Sequence, residues 1–298
     1  MLQVKVWDVN HGSAAHIQTP NGRNIVVDLG DDGENFSPLR QLRGTGVAYL
    51  DAIVITHPRR DHIDDIGNLH LFNSGILHTP WHLAEDDIRK GNRQEDMLVI
   101  NEYLNIRRGC TFPGSPAYEL SNPANYGGVI FKVFGPNQSS SGNLNNHSLV
   151  VVVSYANLKM VIPGDNEAPS WKELLERPDF VSAVAGADVL LAPHHGRDAG
   201  FCAELFTTMG KPRLVVISDG RFGDTSATDR YGQQVSGWDV FDGSGHVEKR
   251  KCVTTRCDGH ITVKFGWNSP SLPAQGNYLN VTTSKPDMWS ALSGMLGR

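Results

Sequence analysis

The chain has 298 residues, 39% of them hydrophobic and 20% charged, with a formal net charge of −5 and a pI near 6.2. That length can bury a sizeable core around an active-site cleft, and the absence of any apolar run of roughly 18 to 20 residues excludes a transmembrane anchor. The acidic balance gives no global attraction for nucleic acid, which leaves phosphate recognition to local basic patches.

Met1 to Asp8 alternates apolar with polar residues and lacks the apolar core of a secretory leader, so it reads as a first strand. Runs near 2–9, 14–19 and 24–28, with Pro20-Asn21-Gly22 as turn chemistry, predict a meander of antiparallel strands. A short helix is expected at 37–43. Four apolar runs then end in polar clusters: Ala52 to Ile55 into Thr56-His57, Leu158 to Ile162 into Gly164-Asp165, Ala187 to Leu191 into Pro193-His194-His195-Gly196, and Leu214 to Ile217 into Ser218-Asp219-Gly220. Continuous apolar runs of this kind are strands covered on both faces.

Helices are expected at 83–106, where Met97, Ile100, Tyr103 and Leu104 share a face, and near 168–177 and 199–208. Residues 137–147 form a polar loop ahead of a strand from Ser148 to Ser154. Two runs, 247–255 and 260–265, predict a hairpin around Asp258-Gly259, with Cys252 and Cys257 on adjacent strands. Those cysteines, with Cys110 and Cys202, form no CxxC pair and read as reduced thiols of a cytoplasmic protein. Beyond 268, a Pro-, Ser- and Asn-containing stretch leads to a short helix at 286–296. With no repeat or break in composition, one domain over 1–268 is expected, with 269–298 as an extension packed on it or trailing from it.

In open α/β sheets functional groups collect beyond the carboxyl ends of strands. His57, Asp165 and His194-His195 each follow one of the apolar runs, while Asp61 and His62 open the helix after the first. Singly, each reads as a cap or turn residue. Together they read as a metal site, because imidazoles and carboxylates converging on one crevice are what a divalent ion requires. No GxSxG elbow, P-loop or HExxH is present, so no serine nucleophile or nucleotide loop competes with this reading.

The segment Thr56-His57-Pro58-Arg59-Arg60-Asp61-His62 resembles the HxHxDH signature of the metallo-β-lactamase superfamily, with Arg59 at the second histidine. Within that superfamily the chain resembles the hydrolase domain of the DNA-uptake protein ComEC. The likeness runs through Asp8-Val9-Asn10-His11-Gly12, Val27-Asp28-Leu29-Gly30, Asn145-Asn146-His147-Ser148-Leu149-Val150, Pro163-Gly164-Asp165, Pro193-His194-His195-Gly196 and Asp258-Gly259-His260-Ile261. The resemblance implies an α/β (α+β) fold, a four-layer αββα sandwich with one or two divalent ions, Zn²⁺ or Mn²⁺, along one edge. It implies that Asp61, His62 and one histidine of the Pro-His-His-Gly element hold one ion, with Asp165 bridging to a second on His57, residue 59 and a group near 145–147.

Spacing does not decide between His194 and His195. His194 is taken as the ligand, and His195 as the proton donor to the leaving group. Asp165 would position a metal-activated hydroxide, and Asp28 would support the histidines by hydrogen bonds. Arg59 has no lone pair to give a cation. Either the second ion is weak, or Arg59 holds a substrate phosphate, or it folds back onto Asp64 or Asp65. His11 is open between a supporting and a turn role, His147 could replace a missing ligand, and Asp219 is a further possible carboxylate ligand.

The implied activity is a metal-dependent phosphodiesterase or nuclease on DNA, RNA or a nucleotide. Arg60, Arg221, Arg230 and the run Lys249-Arg250-Lys251 are its further basic residues, the run reading equally as a charged edge strand. The alternative is a pseudoenzyme, a structural or regulatory partner whose site has degenerated at Arg59 and Gln233.

Overall fold

Fifteen strands form two mixed sheets in a computed structural model that describes residues 1–34, 36–110, 115–136, 142–220, 226–269, 271 and 273–285. In chain order the strands are β1 (Leu2–Val6), β2 (Ala14–Gln18), β3 (Asn24–Leu29), β4 (Tyr49–Val54), β5 (Asn73–His78), β6 (Ile130–Phe134), β7 (Val150–Tyr155), β8 (Leu158–Ile162), β9 (Val189–Leu191), β10 (Leu214–Ile217), β11 (Trp238–Phe241), β12 (Val247–Arg250), β13 (Cys252–Thr254), β14 (Ile261–Trp267) and β15 (Asn277–Thr283). The larger sheet runs β12-β11-β15-β14-β1-β2-β3-β4-β5 and the smaller β13-β10-β9-β8-β7-β6. The expected meander is its β1-β2-β3 portion, antiparallel throughout.

Side-chain alternation explains the layering. In β3, Ile25 and Val27 point between the sheets while Val26 points outward, and β7 does the same with Val151 and Val153 against Val150 and Val152. The inner set, with Leu2, Val4, Val6, Met160 and Phe265, fills the space between the sheets. The outward set of the large sheet is covered by helices α1 (Pro38–Gly44), α2 (Arg60–Ile63), α3 (Glu85–Lys90) and α4 (Met97–Gly109), through Leu39, Ile63, Ile88 and Leu104. That of the small sheet is covered by α5 (Ala168–Leu175), α6 (Pro178–Val184), α7 (Ala203–Met209) and α8 (Thr228–Gly232), through Trp171, Phe180, Phe206 and Tyr231. Three apolar layers between four structural layers make an αββα sandwich. Strands buried on both faces are the reason the sequence shows unbroken apolar runs.

Three expectations differ from the structure. The helix expected at 83–106 is two, because the chain breaks at Gly91-Asn92 between α3 and α4. The hairpin over 247–265 does not form: β12 pairs with β11 in the large sheet, β13 crosses to pair with β10 in the small one, and β14 returns to β1. The crossing is held by Asp258, whose carboxylate accepts from Thr254 N at 2.8 Å and pairs with Arg250 at 3.3 Å, so Asp258-Gly259 ends a short helix α9 (Thr255–Asp258). Cys252 therefore lies on a strand and Cys257 on that helix, and all four thiols are unpaired. Third, β15 lies within the large sheet, between β11 and β14, so 277–283 is an integral strand. The loop residues 137–141, Arg221 and the helix expected at 286–296 lie outside the described residues. No helix among the described residues is long and apolar enough to cross a membrane.

Candidate metal centre

The parallel strands β4, β8, β9 and β10 deliver their following residues to one end of the sandwich, where the two sheets meet. Backbone bonds tie these ends together: Leu149 N donates to Thr56 O at 2.9 Å, and His194 N to Gly164 O at 3.2 Å. Helix α2 is pinned from the other side, where Ser13 N donates to Asp61 O at 3.0 Å. Gly12 and Gly30 make that approach possible, since a Cβ on either would sit 2.7 or 2.6 Å from the Asp61 carbonyl. The Pro-His-His-Gly turn places His194 (φ 50°), His195 (φ 55°) and Gly196 (φ 74°) consecutively in the left-handed region. Two histidines there are a strained choice of the kind that clusters at functional sites.

Four donors converge. Asp61, His62, Asp165 and His195 each offer a ligand atom, and these atoms all lie within 4.8 Å of one another. His62 Nε2 is 3.2 Å from Asp165 Oδ1, and His195 Nε2 is 3.3 Å from Asp61 Oδ2 and 3.5 Å from Asp165 Oδ2. Ligands about 2.1 Å from a tetrahedral ion stand about 3.4 Å apart, so this spacing fits one divalent ion. The close contacts are not well-formed hydrogen bonds: the Nε2 atoms of His57, His62 and His195 are buried and have no hydrogen-bond partner.

The orientation of each imidazole is fixed from behind. His195 Nδ1 lies 3.1 Å from the Ser218 carbonyl, which can only accept, so Nδ1 carries a proton and Nε2 is the nitrogen that would give its lone pair to an ion displacing the other proton. His62 Nδ1 donates likewise to Asp28 Oδ2 at 2.8 Å. Thr56 Oγ1 donates to the same carboxylate at 2.9 Å and so accepts from His57 Nδ1 at 3.2 Å. Asp28, fully buried, thus presents the Nε2 atoms of two rings. His57 stands beside the cluster, its Nε2 4.0 Å from Asp165 Oδ2.

Electrostatics follow from the crowding. Burial opposes charge on Asp165, but the neighbouring His62 and His195 hold it well below the usual carboxylate range. Burial likewise opposes charge on His195, and Asp165 and Asp61 overcome it, lifting the imidazole to about 9. His62 is raised in the same way by Asp165 and Asp28. His57 goes the other way, lowered by burial and by the charge of His62. Paired carboxylates that favour positive charge in a buried pocket are a donor set that could hold a cation.

The remaining site residues separate into two groups. His194 lies on the wall of a cleft of about 720 Å³ that opens over the cluster, with Nδ1 3.2 Å from Glu167 Oε1 and Nε2 3.5 Å from Asn145 Nδ2. The structure therefore brings His195, where the sequence reading had placed His194, to the donor set; the left-handed turn decides which ring faces inward. Arg59 and His11 also line this cleft, His11 with Nε2 3.6 Å from Asp61 Oδ2. Away from the cluster, His147 bonds His82 at 2.9 Å, and Asp219 accepts from Gly220 N and pairs with Arg256. Asp64 and Asp65, alternative partners for Arg59, are engaged elsewhere: Asp64 pairs with Arg60 at 3.1 Å, and Asp65 accepts from Ser37, Leu39 N and Asn68. Lys249, Arg250 and Lys251 lie on or beside edge strand β12, and Arg230 pairs with Asp198. Arg197, which lines the cleft, and Glu167, which stands beside His194, have no signal in the sequence beyond position: Glu167 lies two residues after Asp165 and Arg197 directly follows Pro-His-His-Gly.

No protein-family model matches the chain. It is 22% identical over 244 residues to ComE operon protein 3 of Bacillus subtilis, covering 74% of this chain and 28% of that protein. It is 26% identical over 284 residues to the uncharacterized protein YcaI of Escherichia coli, covering 92% and 32%. The chain thus spans about a third or less of the length of these relatives. A shorter match, 31% identity over 94 residues, covers 32% of this chain and 38% of a metal-dependent hydrolase of Roseiflexus castenholzii. Among solved structures, it is similar to a diphosphatase of the PhnP family (TM-score 0.46, 11% identity, 89% of this chain and 98% of that one). It is also similar to the metallo-β-lactamase fold protein YhfI of Bacillus subtilis (TM-score 0.40, 14% identity, 74% and 88%).

Proposed function

We propose that the chain is a metal-dependent hydrolase acting on a phosphodiester, DNA, RNA or a nucleotide, with Asp61, His62, Asp165 and His195 holding one divalent ion, zinc or manganese. The observation that carries this reading is the four-donor cluster, whose buried imidazole Nε2 atoms face two carboxylates without a hydrogen-bond partner. The relative described as a metal-dependent hydrolase supports the class of reaction. When bound, the ion supplies a water-derived nucleophile near neutral pH and offsets charge on the attacked group.

The chain's own residues do the rest. Asp165, 3% exposed and spanning both imidazoles, orients the attacking water. His194, on the cleft wall with Nδ1 3.2 Å from Glu167 Oε1, hands a proton to the leaving group. Its role and that of His195 are thus exchanged relative to the sequence reading. Arg59 serves the substrate, since its guanidinium lines the cleft and has no ion-pair partner among the described residues.

The test is a cleavage panel of single- and double-stranded DNA, RNA and cyclic nucleotides, with added Mn²⁺ or Zn²⁺, run beside Asp165→Ala. Cleavage of at least one member, lost on chelation and in the variant, is expected. No turnover on the whole panel, with less than about a tenth of an equivalent of metal after loading, defeats the enzyme reading in favour of a non-catalytic partner protein.

A further inference from the structure

We propose that Arg59 and Arg197 form a clamp for one phosphate group, standing where a second cation would otherwise act, so that the chain works with a single ion. The clamp rests on the phosphodiester reading above and deepens it by assigning the groups that recognise the anion.

The first observation is which cleft arginines are already in use. Arg60 pairs with Asp64 at 3.1 Å and Asp96 at 3.4 Å, and Arg93 with Glu95 at 3.4 Å. Arg59 and Arg197 line the same cleft, have no carboxylate partner among the described residues, and each carries a buried Nε without a hydrogen-bond partner. A buried guanidinium N–H without an acceptor is costly, and an anion entering the cleft relieves it at both positions. Two planar forks also match the oxygens of a phosphate in pairs, which ammonium groups do not.

Position is the second observation. Arg59 immediately precedes α2, which carries Asp61 and His62, and Arg197 immediately follows the turn that carries His195. The two therefore approach the ion site from different sheets. Arg197 Nη2 lies 3.5 Å from His11 Nε2, itself 3.6 Å from Asp61 Oδ2, so one imidazole separates that guanidinium from the donor set.

The third observation concerns the place of a second ion. It would rest on His57, residue 59 and a group near 145–147. Residue 59 is an arginine, and in that group Asn145 Nδ2 donates to Glu167 at 3.0 Å while His147 bonds His82 at 2.9 Å. His57 and the unpartnered Oδ1 of Asn145 remain, and the fixed positive charge of Arg59 beside His57 repels a cation while attracting a phosphate oxygen.

Isothermal titration of inorganic phosphate into the zinc- or manganese-loaded protein tests this, with metal content measured by mass spectrometry on the same samples. The wild type, Arg59→Gln and Arg197→Gln are each expected to hold about one ion per chain, with phosphate affinity about tenfold weaker in either variant. Arg93→Gln, whose arginine lines the same cleft but is paired, is expected to bind phosphate as the wild type does. Two ions per wild-type chain, phosphate affinity within about twofold of wild type in either clamp variant, or equal weakening in Arg93→Gln overturns the proposal. The readout needs no turnover. A protein that binds phosphate in this pattern but cleaves nothing keeps the clamp and loses the hydrolase reading; cleavage with phosphate binding insensitive to both arginines does the reverse.

Discussion

Asp28→Asn is the perturbation that reaches furthest from one atom. The Asp28 carboxylate is fully buried and accepts three hydrogen bonds, from Thr56 N at 2.7 Å, Thr56 Oγ1 at 2.9 Å and His62 Nδ1 at 2.8 Å. An amide keeps the shape but has one acceptor oxygen in place of two. If that oxygen stays with Thr56 N, the NH₂ faces Thr56 Oγ1–H and His62 Nδ1–H, donor against donor. The ring then relieves the clash by moving its proton to Nε2, the atom aimed at Asp165. Loss of one charged hydrogen bond and the tautomer change costs about 1.5–3 kcal/mol in stability. Disrupting a support of this kind lowers metal affinity about 10- to 100-fold, or about 1.4–2.7 kcal/mol. Competition of the loaded protein against a chromogenic chelator measures the second effect, and urea unfolding the first. Metal affinity within about twofold of wild type, in a variant whose fold is retained, would refute the claim that Asp28 sets the face His62 presents.

Gly30→Ala places a Cβ 2.6 Å from Asp61 O and 2.9 Å from Ser13 O, both backbone, and is expected to lose about 1–3 kcal/mol by urea denaturation together with part of the metal affinity. Gly44→Ala, where a Cβ meets nothing within 4 Å, is the control and is expected to be neutral or to gain up to about 1 kcal/mol. Equal losses at the two positions would contradict the close-approach argument. His16 is lowered to about 4 by burial, which outweighs its hydrogen bond to Asn24 Oδ1 at 3.0 Å. The unfolded chain therefore takes up a proton near 6.5 that the native state refuses until about 4, so the contribution of the neutral ring is complete above 6.5 and eroded as pH falls between those values. His16→Gln is expected to flatten the dependence of unfolding free energy on pH in that window by up to about 1.4 kcal/mol per unit; an unchanged slope would show that the ring does not stay neutral.

The strands that frame the site were the most legible part of the sequence, for a physical reason. β4, β8, β9 and β10 are covered on both faces, so each is an apolar run whose end is marked by the first polar cluster. Hence the positions of His57 and Asp165 at strand ends, and of Asp61 and His62 in the helix after β4, were legible in the sequence. What pattern could not show was the sheet to which a strand belongs. β12 and β13 are separated by a single residue, Lys251, yet enter different sheets, because the Arg250–Asp258 pair and the Thr254 bond turn the chain between them. β15 was hidden by its Pro-, Ser- and Asn-containing surroundings, although Leu279 and Val281 alternate inward as strand residues do.

Which of His194 and His195 faces the cluster was likewise beyond spacing, because three successive left-handed residues orient the two rings. Glu167 and Arg197 are illegible for a related reason: single charged residues in loops are common, and only the fold sets Glu167 beside His194 and Arg197 on the cleft wall.

The most direct measurement is equilibrium dialysis of the wild type, His195→Ala and His194→Ala against Zn²⁺ or Mn²⁺, with the ion content of each determined. About one ion per chain in the wild type and in His194→Ala, and less than about a tenth in His195→Ala, is the result expected of a site built from Asp61, His62, Asp165 and His195. A wild type that retains no ion, or loss of the ion from His194→Ala while His195→Ala keeps it, would contradict the account.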